Sequence, residues 1–179
     1  MRLQTQAADE WTIHEEELSV LLAEIVESDL SNINISETEL PQIDLSHVKL
    51  HNADLSYANL QGAILRGSDL AGAVAVGVNL SAAKIGQANL ASANLCGANL
   101  RHASLRDADL SSASLMWANL HDANLYGANL RYANLCWANL TDSNLTDANL
   151  RGVKYNMHTR WPDGLELQLD KAHVVANYY

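Results

Sequence analysis

The chain has 179 residues and a formal net charge of −10, from 21 acidic and 11 basic side chains. This excess of acid argues against nucleic-acid binding, because nucleic-acid-binding surfaces are basic. The 2 cysteines are too few for a disulfide framework, and no apolar run approaches the roughly 20 residues of a membrane-spanning helix. We therefore expect a cytoplasmic protein that binds neither nucleic acid nor membrane.

Residues 1–27 are predicted to form an N-terminal α-helical cap. Thr12 and Glu15 have the spacing of a capping box, in which each side chain satisfies a backbone N–H of the first helical turn. Apolar residues then recur at helical spacing at Leu18, Leu21, Leu22 and Ile25. The helix either only covers the segment that follows, or it also pairs two chains, in which case these four side chains are the dimer contacts.

Residues 28–152 contain a repeat with a period of five. Every fifth residue from Leu30 to Leu150 is apolar, and 22 of these 25 centre positions are Leu. Two residues before the centre, 17 of 25 positions are Ala, and one residue before it 18 are Asn or Asp. A period of five fits neither the 3.6-residue turn of a helix nor the two-residue alternation of a strand. The pattern predicts a solenoid whose coils bury their apolar rows on one another.

The unit Ala-Asn/Asp-Leu-x-x, as in residues 118–122, resembles the pentapeptide-repeat proteins, a family that is numerous in cyanobacteria. The resemblance implies an all-β solenoid, namely a right-handed quadrilateral β-helix with four pentapeptides in each square coil. The centre residue and the small residue two positions before it would point inward. At 20 residues a coil, residues 28–152 make about six coils.

Residues 153–179 are predicted to form a C-terminal cap that closes the last coil. Tyr155 takes the next centre position after Leu150, and residues 161–164 read Trp-Pro-Asp-Gly, which is typical of a turn. Leucines then alternate as they do in a strand, at Leu165, Leu167 and Leu169.

One face of the predicted prism is apolar and aromatic. Residues 20 apart stack vertically at about strand spacing, so the face collects Tyr57, Val76, Met116, Trp117 and Trp137. We call these five residues the aromatic face, and we expect its two tryptophans on neighbouring coils. Exposed patches of this kind mark interaction sites, and Trp is enriched at binding hot spots. The other interpretations are that the chain's own flanks cover the patch or that it is incidental.

A second face is polar. Asparagines form a continuous column that suggests a side-chain ladder, at Asn59, Asn79, Asn99, Asn119 and Asn139. Another group, His102, His121, Asp122 and Asp142, contains residue types that bind metals. A solvated surface is the favoured interpretation of that group, because no burial or second shell is apparent, and no metal is predicted.

The two cysteines are predicted to be free thiols. Cys96 and Cys136 share a column but lie two coils apart, or about 9.6 Å at the strand spacing. An intrachain disulfide needs Cα atoms within about 7 Å of each other.

A continuous convex prism lacks the concave, water-excluding site that catalysis needs, so neither an enzyme nor a cofactor is expected. The leading hypothesis is an interaction or scaffold protein that presents the aromatic face to an unidentified protein partner. A further hypothesis is a structural homodimer formed through the N-terminal helix.

The alternative hypothesis, implied by the family resemblance, is a DNA-mimic regulator of DNA gyrase, because some pentapeptide-repeat proteins that bind gyrase resemble DNA in shape and charge. Residues 28–152 carry 11 acidic and 7 basic side chains, a net charge of −4. About six coils at the strand spacing span about 30 Å, and duplex DNA of that length carries about 18 negative charges. The repeats also lack Phe at their centre positions, and we therefore disfavour this hypothesis.

Overall fold

The structure, a computed structural model, describes residues 29–165 and 173–174. The predicted N-terminal helix and its candidate dimer contacts, Leu18, Leu21, Leu22 and Ile25, lie outside the described residues. The same is true of Leu167 and Leu169 in the predicted C-terminal strand. Within the described residues, no helix has both the length and the apolar character needed to cross a bilayer.

The backbone advances by one coil every 20 residues. Parallel bridges join residues 20 apart without interruption from Asp29–Lys49 to Asn134–Lys154. Within each bridge the amides alternate in direction: Leu100 N–H donates to the Asn119 carbonyl at 2.7 Å, and Asn119 N–H donates back to the Ala98 carbonyl at 2.9 Å. Buried backbone groups are thus satisfied by the neighbouring coil. The predicted stacking of residues 20 apart is confirmed.

The register changes near the C-terminal end of the repeats. The last bridge joins Asn139 to Arg160, which is a separation of 21 residues and marks a single inserted residue. Strand β1, Lys154–Tyr155, pairs in parallel with strand β2, His173–Val174. Within the described residues, strand β2 pairs with the last coil. It lies C-terminal to Leu165, Leu167 and Leu169, from which a strand was predicted.

The interior is filled by two residues from each repeat. All centre residues from Ile35 to Leu145 are buried, including Ala75, where the Leu is missing. The position two residues earlier is also buried in every repeat from Val48 to Ser143. Alanine suits this inner position because it is small enough to let the coil turn and loses no side-chain entropy on burial.

Each repeat ends in a turn that requires an unusual backbone conformation. The N–H of the residue three after the centre donates to the centre carbonyl, as from Ala118 to Leu115 at 3.1 Å. The residue two after the centre has a positive φ in all 25 repeats from Asn32 to Gly152, and 7 of these residues are Gly. We call this residue the corner residue. None of the 25 is Val, Ile or Thr, because β-branched side chains fit this left-handed region worst.

The corner geometry predicts a different response at two adjacent serines. Ser112 is a corner residue with φ of 59°, whereas Ser111 precedes it in a position that Thr occupies at residues 141 and 146. We expect Ser112→Thr to lower the free energy of unfolding by about 1 kcal/mol, because the branched side chain adds strain at positive φ. Ser111→Thr, the matched control, leaves it unchanged. Urea denaturation of both variants measures the difference, and equal stabilities would contradict the assignment of the corner.

Candidate functional site

Three aromatic rings of the aromatic face project from corners. Tyr57, Trp117 and Trp137 have φ of 59°, 58° and 60°. At a corner, this backbone conformation directs the side chain toward the next coil. The ring of Tyr57 lies over Gly77, where a Cβ would meet the Tyr57 Cε1 at only 2.6 Å. Gly77 therefore provides the flat surface on which the tyrosine ring rests.

Trp117 and Trp137 lie on neighbouring coils, as predicted, and their rings also stack. The ring centroids of Trp117 and Trp137 are 5.2 Å apart with an interplanar angle of 21°. Trp137 in turn stacks on His158 at 6.1 Å and 7°. Trp117 remains 56% exposed and forms the open end of this three-ring column, while Trp137 is half-buried.

Sequence reasoning missed His158, because the residue 20 after Trp137 is Met157. The inserted residue moves His158 into the column instead. Asn156 allows this shift: its Oδ1 accepts the Trp137 N–H at 3.1 Å. Thr159 Oγ1 then donates to the Leu135 carbonyl at 2.9 Å. The signal available in the sequence was Arg160 at the place where the five-residue period requires an apolar centre.

The aromatic face consists of two exposed parts with an opening between them. Tyr57 is 64% exposed, whereas Val76 and Met116 are half-buried. Between Tyr57 and Trp117 the corner column contains only Gly77 and Gly97. A Cβ at Gly97 would have open space around it. The face therefore contains an open position at Gly97, with an aromatic ring on either side along the column.

The two thiols are free, as predicted, but their surroundings differ. Cys96 is half-buried, and its Sγ lies 3.0 Å from Ser114 Oγ. Cys136 occupies neither a centre nor the inner position before it, yet it is 3% exposed. Burial beneath the next coil raises the pKa of the Cys136 thiol, since the thiolate is poorly solvated there.

The asparagine column forms a partial side-chain ladder, in agreement with its prediction. Asn79 Nδ2 donates to Asn59 Oδ1 at 2.9 Å, and Asn99 Nδ2 donates to Asn79 Oδ1 at 3.1 Å. Each amide oxygen also accepts the backbone N–H two residues later, as from Ser81 at 3.2 Å. This column supports the turns and leaves few side-chain groups available for a ligand.

The sequence profile of the family described as pentapeptide repeats matches the chain in four segments with 8 copies, at residues 28–67, 53–90, 86–122 and 118–154. The chain belongs to the pentapeptide repeat family. Its members form right-handed quadrilateral β-helices, which agrees with the 20-residue coil advance observed here.

Solved structures of pentapeptide repeat proteins are similar to the chain. QnrB1, a plasmid-mediated fluoroquinolone resistance protein, is 13% identical over 83% of this chain and 89% of its own, with a TM-score of 0.50, and shows the shared fold. Rfr23 from the cyanobacterium Cyanothece 51142 is 29% identical over 74% of this chain and 90% of its own, with a TM-score of 0.45. A protein from the Arabidopsis thaliana thylakoid lumen is 27% identical over 63% and 71%, with a TM-score of 0.45. No curated protein matches the sequence.

The thiol environments predict unequal reactivity. We expect iodoacetamide at pH 7.5 to modify Cys96 in the native protein at least about 10 times faster than Cys136, because Cys136 is buried and has a raised pKa. Mass spectrometry of peptides during the reaction measures both rates. In urea the two rates should converge, and equal rates in the native protein would contradict the burial of Cys136.

The ring stack predicts an energetic coupling between two corners. Trp117→Asn and Trp137→Asn keep a residue that tolerates positive φ, so the loss of stability reports the rings. We expect a coupling energy of about 1 kcal/mol in a double-mutant cycle, the usual value of an aromatic pair. The control cycle combines Trp137→Asn with Tyr57→Asn, whose corners lie four coils apart, and should give no coupling. Additive losses for the tryptophan pair would exclude a stabilising stack.

Proposed function

We propose that the protein is a non-enzymatic interaction or scaffold protein and that its aromatic face binds a protein partner. The observation that supports this most directly is the exposure of Trp117, which is 56% accessible although its ring is fixed on Trp137. A large apolar ring held in one orientation loses little entropy on binding. Trp is also the residue type most enriched at binding hot spots.

The opening at Gly97 suggests how a partner would be recognised. Tyr57 and Trp117 lie before and after it in the corner column, and both are more than half exposed. An apolar side chain of the partner would insert over Gly97 between the two rings. The half-buried Val76 and Met116 then extend the apolar contact beside this position.

The remaining parts of the proposal follow from the sequence. About six coils, an N-terminal helical cap and a C-terminal cap complete the architecture. The proposed location is the cytoplasm, where the thiols of Cys96 and Cys136 stay reduced. The proposed partner is a protein rather than a nucleic acid or a membrane.

Affinity capture from native lysate tests the proposed binding face. The bait is the full-length chain, and the test variant is Trp117→Glu/Trp137→Glu, since Glu37 shows that a corner accepts glutamate. The matched control is Tyr132→Glu, which removes a 50% exposed aromatic ring at a corner of another column. We expect one protein to bind the wild type and the control but not the double variant. Purified, that protein should bind the wild type at least about 100 times more tightly than the double variant.

Equal capture by all three baits would contradict the aromatic face as the binding site.

A gyrase supercoiling assay distinguishes the DNA-mimic hypothesis from the proposed function, because a DNA mimic would inhibit or protect the enzyme whereas a scaffold protein would do neither. Size-exclusion chromatography of the full chain against a 28–179 fragment tests the homodimer hypothesis. A dimer that becomes a monomer on removal of 1–27 would assign that segment to self-association.

A further inference from the structure

A cluster of two histidines and two aspartates lies outside the aromatic face. His102, Asp122 and Asp142 are corner residues of three successive coils, and His121 precedes Asp122 in the chain. His121 Nε2 lies 3.1 Å from Asp122 Oδ2, and His102 Nδ1 lies 3.5 Å from the same oxygen. On its other side, His121 Nδ1 lies 3.7 Å from Asp142 Oδ2. One imidazole is therefore placed between two carboxylates.

Each ring nitrogen of His121 faces an oxygen atom that can only accept a hydrogen bond or bind a cation. Its Nδ1 is 3.0 Å from the Thr141 carbonyl oxygen, and its Nε2 faces the Asp122 carboxylate. A neutral imidazole has only one N–H, so it can donate to one of these oxygens but not to both. At the other nitrogen, a lone pair then faces an oxygen lone pair at hydrogen-bond distance. A metal ion bound by both atoms removes this repulsion.

We propose that this cluster is a binding site for Zn²⁺. His121, Asp122 and Asp142 each offer a ligand atom, and these atoms lie within 4.8 Å of one another. Ligands about 2.0–2.1 Å from a tetrahedral zinc ion are separated by roughly 3.3 Å, which is close to the 3.1 Å and 3.5 Å that join Asp122 Oδ2 to the two histidines. His102, whose Nδ1 lies beside Asp122 Oδ2, is the further candidate ligand on the Nε2 side of His121, while Asp142 faces the Nδ1 side.

The Thr141 carbonyl supplies the outer support that a metal site needs. Histidine ligands usually donate the nitrogen that does not bind the metal to a carbonyl or carboxylate, which fixes the ring and its tautomer. His121 Nδ1 makes this contact with Thr141, so Nε2 is left to bind the metal beside Asp122. The solvated-surface interpretation depended on the absence of such a contact. The mixture of imidazole and carboxylate ligands favours zinc over calcium or magnesium, which prefer oxygen alone.

Two other histidines have different roles in the prism and do not compete for this assignment. The ring of His47 lies over Gly67, where a Cβ would be 2.8 Å from the ring. His158 stacks on Trp137. Neither of them belongs to a group of three or more metal-binding side chains among residues 29–165.

Isothermal titration calorimetry with zinc chloride alone tests the site on the full-length chain after chelator treatment. We expect one zinc ion to bind per chain, and His121→Ala to weaken binding by at least about 100-fold. Asp122→Asn should weaken it by about 10-fold or more and keeps a side chain that tolerates the corner φ of 55°. The matched control is His51→Ala, which removes an exposed histidine in another column and should leave the affinity unchanged.

A second measurement checks that zinc binds at this cluster. Zinc should raise the thermal midpoint of the wild type and of His51→Ala, but not that of His121→Ala or Asp122→Asn. Cobalt in place of zinc should give the visible absorption bands of a tetrahedral site. If the wild type binds zinc no more tightly than His121→Ala, or if His51→Ala causes the same loss, the cluster is not a zinc site and the proposal is wrong.

Discussion

The repeated backbone pairing between coils is the constraint on which the whole structure depends. The residue before each centre forms a bridge with the residue 20 positions away in the chain, and the centre residue forms hydrogen bonds there too. Neither residue can therefore change its partner without its neighbours. In the described repeats the buried amides pair with the neighbouring coils, and a slip of one residue would expose the leucine row and bury polar side chains. A five-residue period that divides the 20-residue coil keeps four equal sides in register. Every outward side chain thereby acquires a fixed neighbour above and below it.

The corner conformation converts this register into specific contacts between side chains. Because φ is positive there, a corner side chain leans over the corner of the next coil, and what it meets is decided by the residue 20 positions later. Tyr57 meets Gly77 and rests on its backbone, whereas Trp117 meets another large ring and stacks on it. The exposure and rigidity of an aromatic residue at a corner thus depend on the residue 20 positions later in the chain.

This dependence explains what the sequence could and could not predict. The period predicted the solenoid and its buried centre row, and the family resemblance, which implies 20 residues a coil, predicted the neighbouring positions of Trp117 and Trp137. It could not predict the contact of His158, since one inserted residue changes the count after Tyr155. Nor could it predict that the Thr141 carbonyl would orient His121, because that contact depends on the rotamer of the ring and not on the column. Features set by backbone register were therefore accessible, and those set by side-chain rotation or by a break in the period were not.

The aromatic stack and the histidine–aspartate cluster occupy adjacent corners of the same coils. Trp117 and Asp122 are corner residues of consecutive repeats, so one side of the square separates them, at most about 17 Å of chain. That side cannot lengthen or bend, because its amides are paired with the coils on both sides. A protein bound over Trp117 that also reached around one corner would therefore meet His121 and its carboxylates at a fixed distance. The backbone pairing therefore holds two chemically different surfaces at a fixed separation, and neither can move relative to the other without breaking hydrogen bonds between coils.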